Sequence, residues 1–155
     1  MASTYKIQFL KGKKLQTFIA IADTIIPASE GFPTGGDLQT AAVVDWALRR
    51  MPDDLRSKLL LFITIIHYLG FFVGGKNFSK LSYNQRAKLL RWLEHSKIGL
   101  LRVGFFGIKN YACMGYFTRE NTWQYFDYDG PILPEIDYSD PEIRLLSQGK
   151  IKIDV

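Results

Sequence analysis

The groups that could do chemistry are few and scattered. The chain holds two histidines, His67 and His95, and one cysteine, Cys113. A lone cysteine excludes an internal disulfide and any cysteine-based metal site. Two histidines with no nearby ligands leave little for metal chemistry. Cys113 sits in an apolar helical stretch, so a reduced, buried thiol is expected. Three groups remain worth weighing. Asp45 falls in the middle of the apolar face of a predicted helix, four residues before Arg49. A buried carboxylate must be paired, so the expected arrangement is a structural Asp45–Arg49 pair. His67 lies in a long apolar helix and is expected to be a hydrogen-bonded core histidine. A rival reading gathers His67, Asp45 and Tyr68 around a pocket, as a stand-alone helical enzyme or small-ligand binder would need.

No glycine-rich phosphate loop, nucleotide fingerprint, serine elbow, HExxH or CxxC occurs in the sequence. What the sequence spends its residues on is apolar and aromatic surface. Hydrophobic residues make up 47% and aromatics 14%. Some of that aromatic area suits a partner. Neither catalytic, cofactor-binding nor metal-binding residues are therefore expected in this chain.

The elements that position these groups read as helices. The dominant stretch is Leu59 to Val73, LLLFITIIHYLGFFV, apolar on every side. Such a helix is enclosed by protein or lies in lipid. Pro52 with Asp53 and Asp54 starts it, and Gly74-Gly75 ends it. Its apolar part falls short of the length expected of a membrane span, so residues 52–73 are read as the central helix of a bundle.

Residues 1–10 form an arm. A first helix carries Leu15, Phe18, Ile19, Ala22, Ile25 and Ile26 at helical spacing and ends at Pro27. Residues 28–36 are a turn-rich loop. Asp37 caps a second helix, residues 38–50. Ser82 and Gln85 have capping-box spacing at the start of a fourth helix. Ser96 is expected to cap a fifth, residues 97–114, in which Gly104 and Gly107 share a face and point to close backbone contact. Thr118 is expected to cap a short sixth helix, residues 119–126, that carries Trp123, Tyr125 and Phe126. The fold class is all-α, a bundle of five to six helices. The expected division is a helical domain over 1–131 and an extended, irregular tail over 132–155, with a short helix or strand within 144–155.

Charge is segregated. The net charge is +5. Between residues 55 and 119 eleven bases face one acid, Glu94, while residues 120–142 hold seven acids and no base. A nucleic-acid binder would rarely carry such an acidic strap, and no nucleic-acid partner is expected. The strap is expected to lie over the basic body or a basic partner. Residues 15–26 superficially resemble a signal peptide, but polar residues interrupt them and no cleavage pattern follows. The expected compartment is the cytoplasm, or the periplasm if another subunit carries the export address. A further reading makes the chain a peripheral membrane protein using its basic arm and first helix.

The order of elements resembles the gluconate 2-dehydrogenase subunit 3 family. Four stretches carry the likeness: FIAIADTIIPASEGFPTGG, AAVVDWALRR, FSKLSYNQRAKLLRWLEHS, and GYFTRENTWQYFDYDGP from Gly115 to Pro131. The resemblance implies a non-catalytic small subunit that aids assembly, stability or maturation of a large FAD-containing, GMC-type alcohol or sugar dehydrogenase. It implies no cofactor in this chain, FAD in the partner, and in some complexes a c-type cytochrome that takes the electrons onward. On that analogy Tyr116, Phe117, Trp123, Tyr128, Gly130 and Pro131 are contact residues, with Tyr125 beside them in the same segment.

Overall fold

A computed structural model describes residues 4–130 and 140–155. Strand β1 (Thr4–Lys6) is followed by helices α1 (Lys13–Ile25), α2 (Leu38–Arg50), α3 (Asp53–Gly74), α4 (Tyr83–Glu94), α5 (Gly99–Phe117), α6 (Glu120–Trp123) and α7 (Pro141–Ser147), then strand β2 (Lys152–Asp154). The expected all-α bundle is present, with one small parallel sheet in which Tyr5 pairs with Ile153. Pro131, with the rest of residues 131–139, lies outside the described residues.

Local chemistry sets many of the boundaries. Asp37 accepts the Thr40 N–H at 2.8 Å and starts α2 as expected. Ser82 and Gln85 close a capping box on α4. Gly75 ends α3 in the left-handed region, φ 66°, where a side chain would be strained. Two expected caps are not made. Helix α5 starts at Gly99 without a side-chain cap, and Ser96 Oγ instead accepts from Ile98 N at 3.2 Å. Thr118 donates backwards to the Met114 carbonyl at 2.7 Å, so α6 begins uncapped after Arg119.

The core is built on α1 and α2. Phe18, Ile21 and Ala22 of α1 and Ala41, Val43, Val44 and Leu48 of α2 are buried. Helix α1 packs against α3, α4 and α5, while α2 packs mainly on α5 and α7. Burial of α1 removes it as a membrane-facing helix, because its apolar stripe is spent inside. Close approach of α2 to α5 depends on Gly115: a Cβ there would lie 2.8 Å from the Thr40 carbonyl oxygen. Gly104 meets the Phe62 ring in the same way, as expected of a packing glycine, whereas Gly107 only approaches Leu59 at an ordinary 3.7 Å.

Helix α3 is not enclosed on every side. Phe62, Ile63, Ile66, His67 and Gly70 face inward, but Leu55, Leu61, Ile65, Tyr68, Phe71 and Phe72 stand in solvent. By length and composition it is the one helix among the described residues that could cross a membrane, and only 28% of its most apolar window is buried by protein. The expectation that its apolar part is too short for a span does not hold, because an 18-residue window of the helix is apolar enough.

Both ends of the chain join the core. Tyr5, Ile7 and Leu10 of the arm are buried, as are Ile143, Leu146 and Ile151 near the other end. Of the short helix or strand expected within 144–155, strand β2 lies inside that range, while helix α7 begins earlier, at Pro141, and lies on α2.

Candidate docking site

The polar candidates resolve into structural roles. Asp45 is fully buried, and its carboxylate does not pair with Arg49 as the spacing suggested. It accepts from the Tyr5 hydroxyl at 2.9 Å and from the backbone N–H groups of Gln8, Phe9 and Leu10 at 2.9, 2.7 and 2.8 Å. Four donors leave the carboxylate no need of a guanidinium. Arg49 turns instead to Glu142, at 3.0 Å, and to the Lys6 carbonyl, and stacks over the Tyr5 ring. Beside it, Arg50 pairs with Asp140, to which Trp46 Nε1 also donates at 3.2 Å. The end of the acidic strap therefore meets α2, not the basic stretch 55–119. Asp127 and Asp129 are exposed, and Glu135 and Asp137 lie outside the described residues.

His67 is the expected hydrogen-bonded core histidine. Its Nδ1 lies 2.9 Å from Thr17 Oγ1, and its ring meets Tyr68 edge-on. Burial, and then the charge of Lys13, hold its pKa below the ordinary value. Three surface cavities are lined by other residues, and none includes His67, Asp45 or Tyr68. No group of three or more potential metal ligands occurs among the described residues. Nothing in this geometry joins the three groups that a stand-alone enzyme or binder would use.

The aromatic residues do come together. At the end of α5 the chain turns through α6 into a 3-10 turn, Gln124–Phe126. Phe117 packs on Phe126 with ring centroids 5.3 Å apart. Phe32, from the loop before α2, packs on Tyr125 and Phe126 at 5.2 and 5.5 Å. Trp123 meets Tyr128 edge-on at 5.2 Å, and Gly130 passes close over the indole with φ 109°. Phe117, Tyr125, Phe126 and Tyr128 remain well exposed. They form an apolar shelf edged by the exposed carboxylates of Asp127 and Asp129.

The shelf is held from beneath. Arg119 is 3% exposed and reaches Asp37 at 2.5 Å and Thr40 Oγ1 at 3.0 Å. One guanidinium thereby ties the shelf to the N-terminus of α2. Tyr116 is buried, and its hydroxyl donates to the Pro33 carbonyl at 3.0 Å, fixing the loop that carries Phe32. Trp123 donates its indole N–H to the Phe117 carbonyl at 2.8 Å. Tyr116 and Trp123 thus support the shelf, whereas Phe117, Tyr125 and Tyr128 face outward. Sequence reasoning passed over Phe32 and Arg119. Arg119 was countable only as one base among eleven, and Phe32 lies in a turn-rich loop whose partners are far away in sequence.

A family model described as gluconate 2-dehydrogenase subunit 3 matches residues 13–130. The chain belongs to the gluconate 2-dehydrogenase subunit 3 family. No curated protein and no solved structure matches it. The match begins at α1 and ends at the last described residue of the aromatic shelf, so the shelf belongs to the subunit 3 region. Strand β1, α7 and β2 lie outside that region and close the bundle from both ends.

Proposed function

We propose that this chain is a non-catalytic small subunit of an FAD-dependent alcohol or sugar dehydrogenase complex, and that the aromatic shelf docks on the large flavoprotein. Four half-exposed rings gathered on one rigid support are the observation that carries this reading. Rings of this kind give large contact area at low entropic cost and concentrate binding energy. Membership of a family named for a dehydrogenase subunit supplies the kind of partner. In this reading the large chain holds FAD, and a c-type cytochrome carries electrons onward from it. This chain's part is assembly and stability of the flavoprotein, in whichever compartment the flavoprotein works.

The test is co-purification of the tagged chain from its native source, with the flavin spectrum of the accompanying large chain as readout. Phe117→Ala together with Phe126→Ala should weaken the complex by about 2 kcal/mol or more. Unchanged affinity removes the shelf from the interface. Turnover of an alcohol or sugar by the purified chain, without a flavoprotein, overturns the non-catalytic reading.

A further inference from the structure

A second apolar surface lies away from the shelf. Gly104 faces Phe62 and Gly107 faces Leu59, so α3 and α5 run antiparallel with a shared outer face. Along α3 the exposed residues Leu61, Ile65 and Phe72 recur at helical spacing, and along α5 so do Leu100, Val103 and Phe106. Phe72 is 88% exposed, Leu100 79% and Val103 70%. Between the helices runs an apolar groove of about 450 Å³. Monomeric proteins rarely leave so continuous an apolar strip to water.

The charges around this strip that have no ion-pair partner among the described residues are positive. Lys76 follows the end of α3 and Lys97 precedes the start of α5; the antiparallel pairing brings these two ends to the same side. Arg102 lines the adjoining cavity with Val103 and Phe106. None of the three has an acidic partner within ion-pair distance among the described residues. The nearby acids are engaged: Asp53 by Arg56, Asp54 by Lys58 at 2.8 Å, and Glu94 by Lys109 at 2.8 Å. The inner side of α3 packs on α1 and α5, so the bundle presents one face of this helix outward.

We propose that the α3–α5 face lies in the plane of an anionic lipid surface. The exposed apolar residues enter the boundary between headgroups and acyl chains, and Lys76, Lys97 and Arg102 meet the lipid phosphates. Bases without acidic partners around an apolar strip complement such a surface and require no matching shape from it. A second copy of this chain would bring the same positive charges together and is disfavoured.

The test uses the full chain and vesicles of equal parts phosphatidylcholine and phosphatidylglycerol. The chain is expected to sediment with them at low ionic strength and to be released by salt. Phe72→Asp with Leu100→Asp is expected to lower binding by roughly tenfold or more. Both side chains stand mostly in solvent, so this variant keeps the fold; its circular dichroism serves as the check. Three outcomes overturn the proposal: no sedimentation with anionic vesicles, equal sedimentation of parent and variant, or a parent dimer that the variant dissolves without any vesicle binding. Phe117→Ala with Phe126→Ala should leave vesicle binding unchanged, so the lipid face and the flavoprotein shelf can fail separately.

Discussion

The Tyr5 hydroxyl donates to Asp45 Oδ2 at 2.9 Å, joining the first strand to the middle of α2. Three backbone N–H groups of the arm complete the carboxylate's partners. Asp45→Ala would leave those buried donors unsatisfied and should cost about 3 kcal/mol or more. Asp45→Asn preserves the shape but turns an NH2 donor toward N–H donors, so it should rescue little. Urea unfolding measures both; a loss below about 1 kcal/mol for Asp45→Ala would show that the arm does not depend on this carboxylate.

The same contact sets a pH limit. Burial first, and the Asp45 carboxylate second, push the Tyr5 phenol far above its ordinary 10.0. Above pH 10 the unfolded chain releases this proton while the folded chain keeps it, so stability falls as pH rises. Tyr5→Phe should flatten the decline, read from urea midpoints on either side of pH 10.

His67 works in the opposite direction. Its pKa is held below 6.5 by burial and then by Lys13. On acidification the unfolded chain takes up the proton first, so stability falls as pH drops below 6.5. His67→Gln should reduce the steepness of that acid limb in thermal unfolding. An identical limb would place the titration elsewhere.

Arg119 should behave as a buried charge with a single solution. Arg119→Ala removes the ion pair to Asp37 and the donor to the buried Thr40 hydroxyl, at a cost of about 2 kcal/mol. Lysine has no second nitrogen to match Nε, which donates to Asn121 Oδ1 at 3.3 Å. Near-native stability of Arg119→Lys would contradict this assignment.

Two glycines of α5 should part ways. Gly115→Ala forces a methyl against the Thr40 carbonyl and should destabilise by about 2 kcal/mol. Gly107→Ala meets only Leu59 at 3.7 Å and should stabilise by up to about 1 kcal/mol through helix propensity. Thermal midpoints of the two variants decide it.

Much of this was legible where the governing partners are close in sequence. The Asp37 cap, the Ser82–Gln85 box and the stop at Gly75 each depend on residues a turn apart. Asp45 was recognisable as a buried carboxylate needing partners, but its donors lie 35 to 40 residues upstream in an arm without periodicity. Arg49 stands at the right spacing and is preempted by those donors. The all-round apolar pattern of α3 could not tell protein from lipid or partner as its cover, and the structure leaves one side uncovered. The aromatic segment was visible as composition; its division into supporting rings and outward rings required Phe32, Tyr116 and Arg119 in place.

The pairing of Thr4–Lys6 with Lys152–Asp154 has a consequence for how the molecule is made. During synthesis on the ribosome the opening strand emerges long before its mate. The arm can find Asp45 as soon as α2 is out, but the sheet must wait for Lys152–Asp154 to clear the exit tunnel. The nascent chain therefore carries an unmated strand edge while all the residues between the two strands are made, an interval in which a chaperone has reason to hold it.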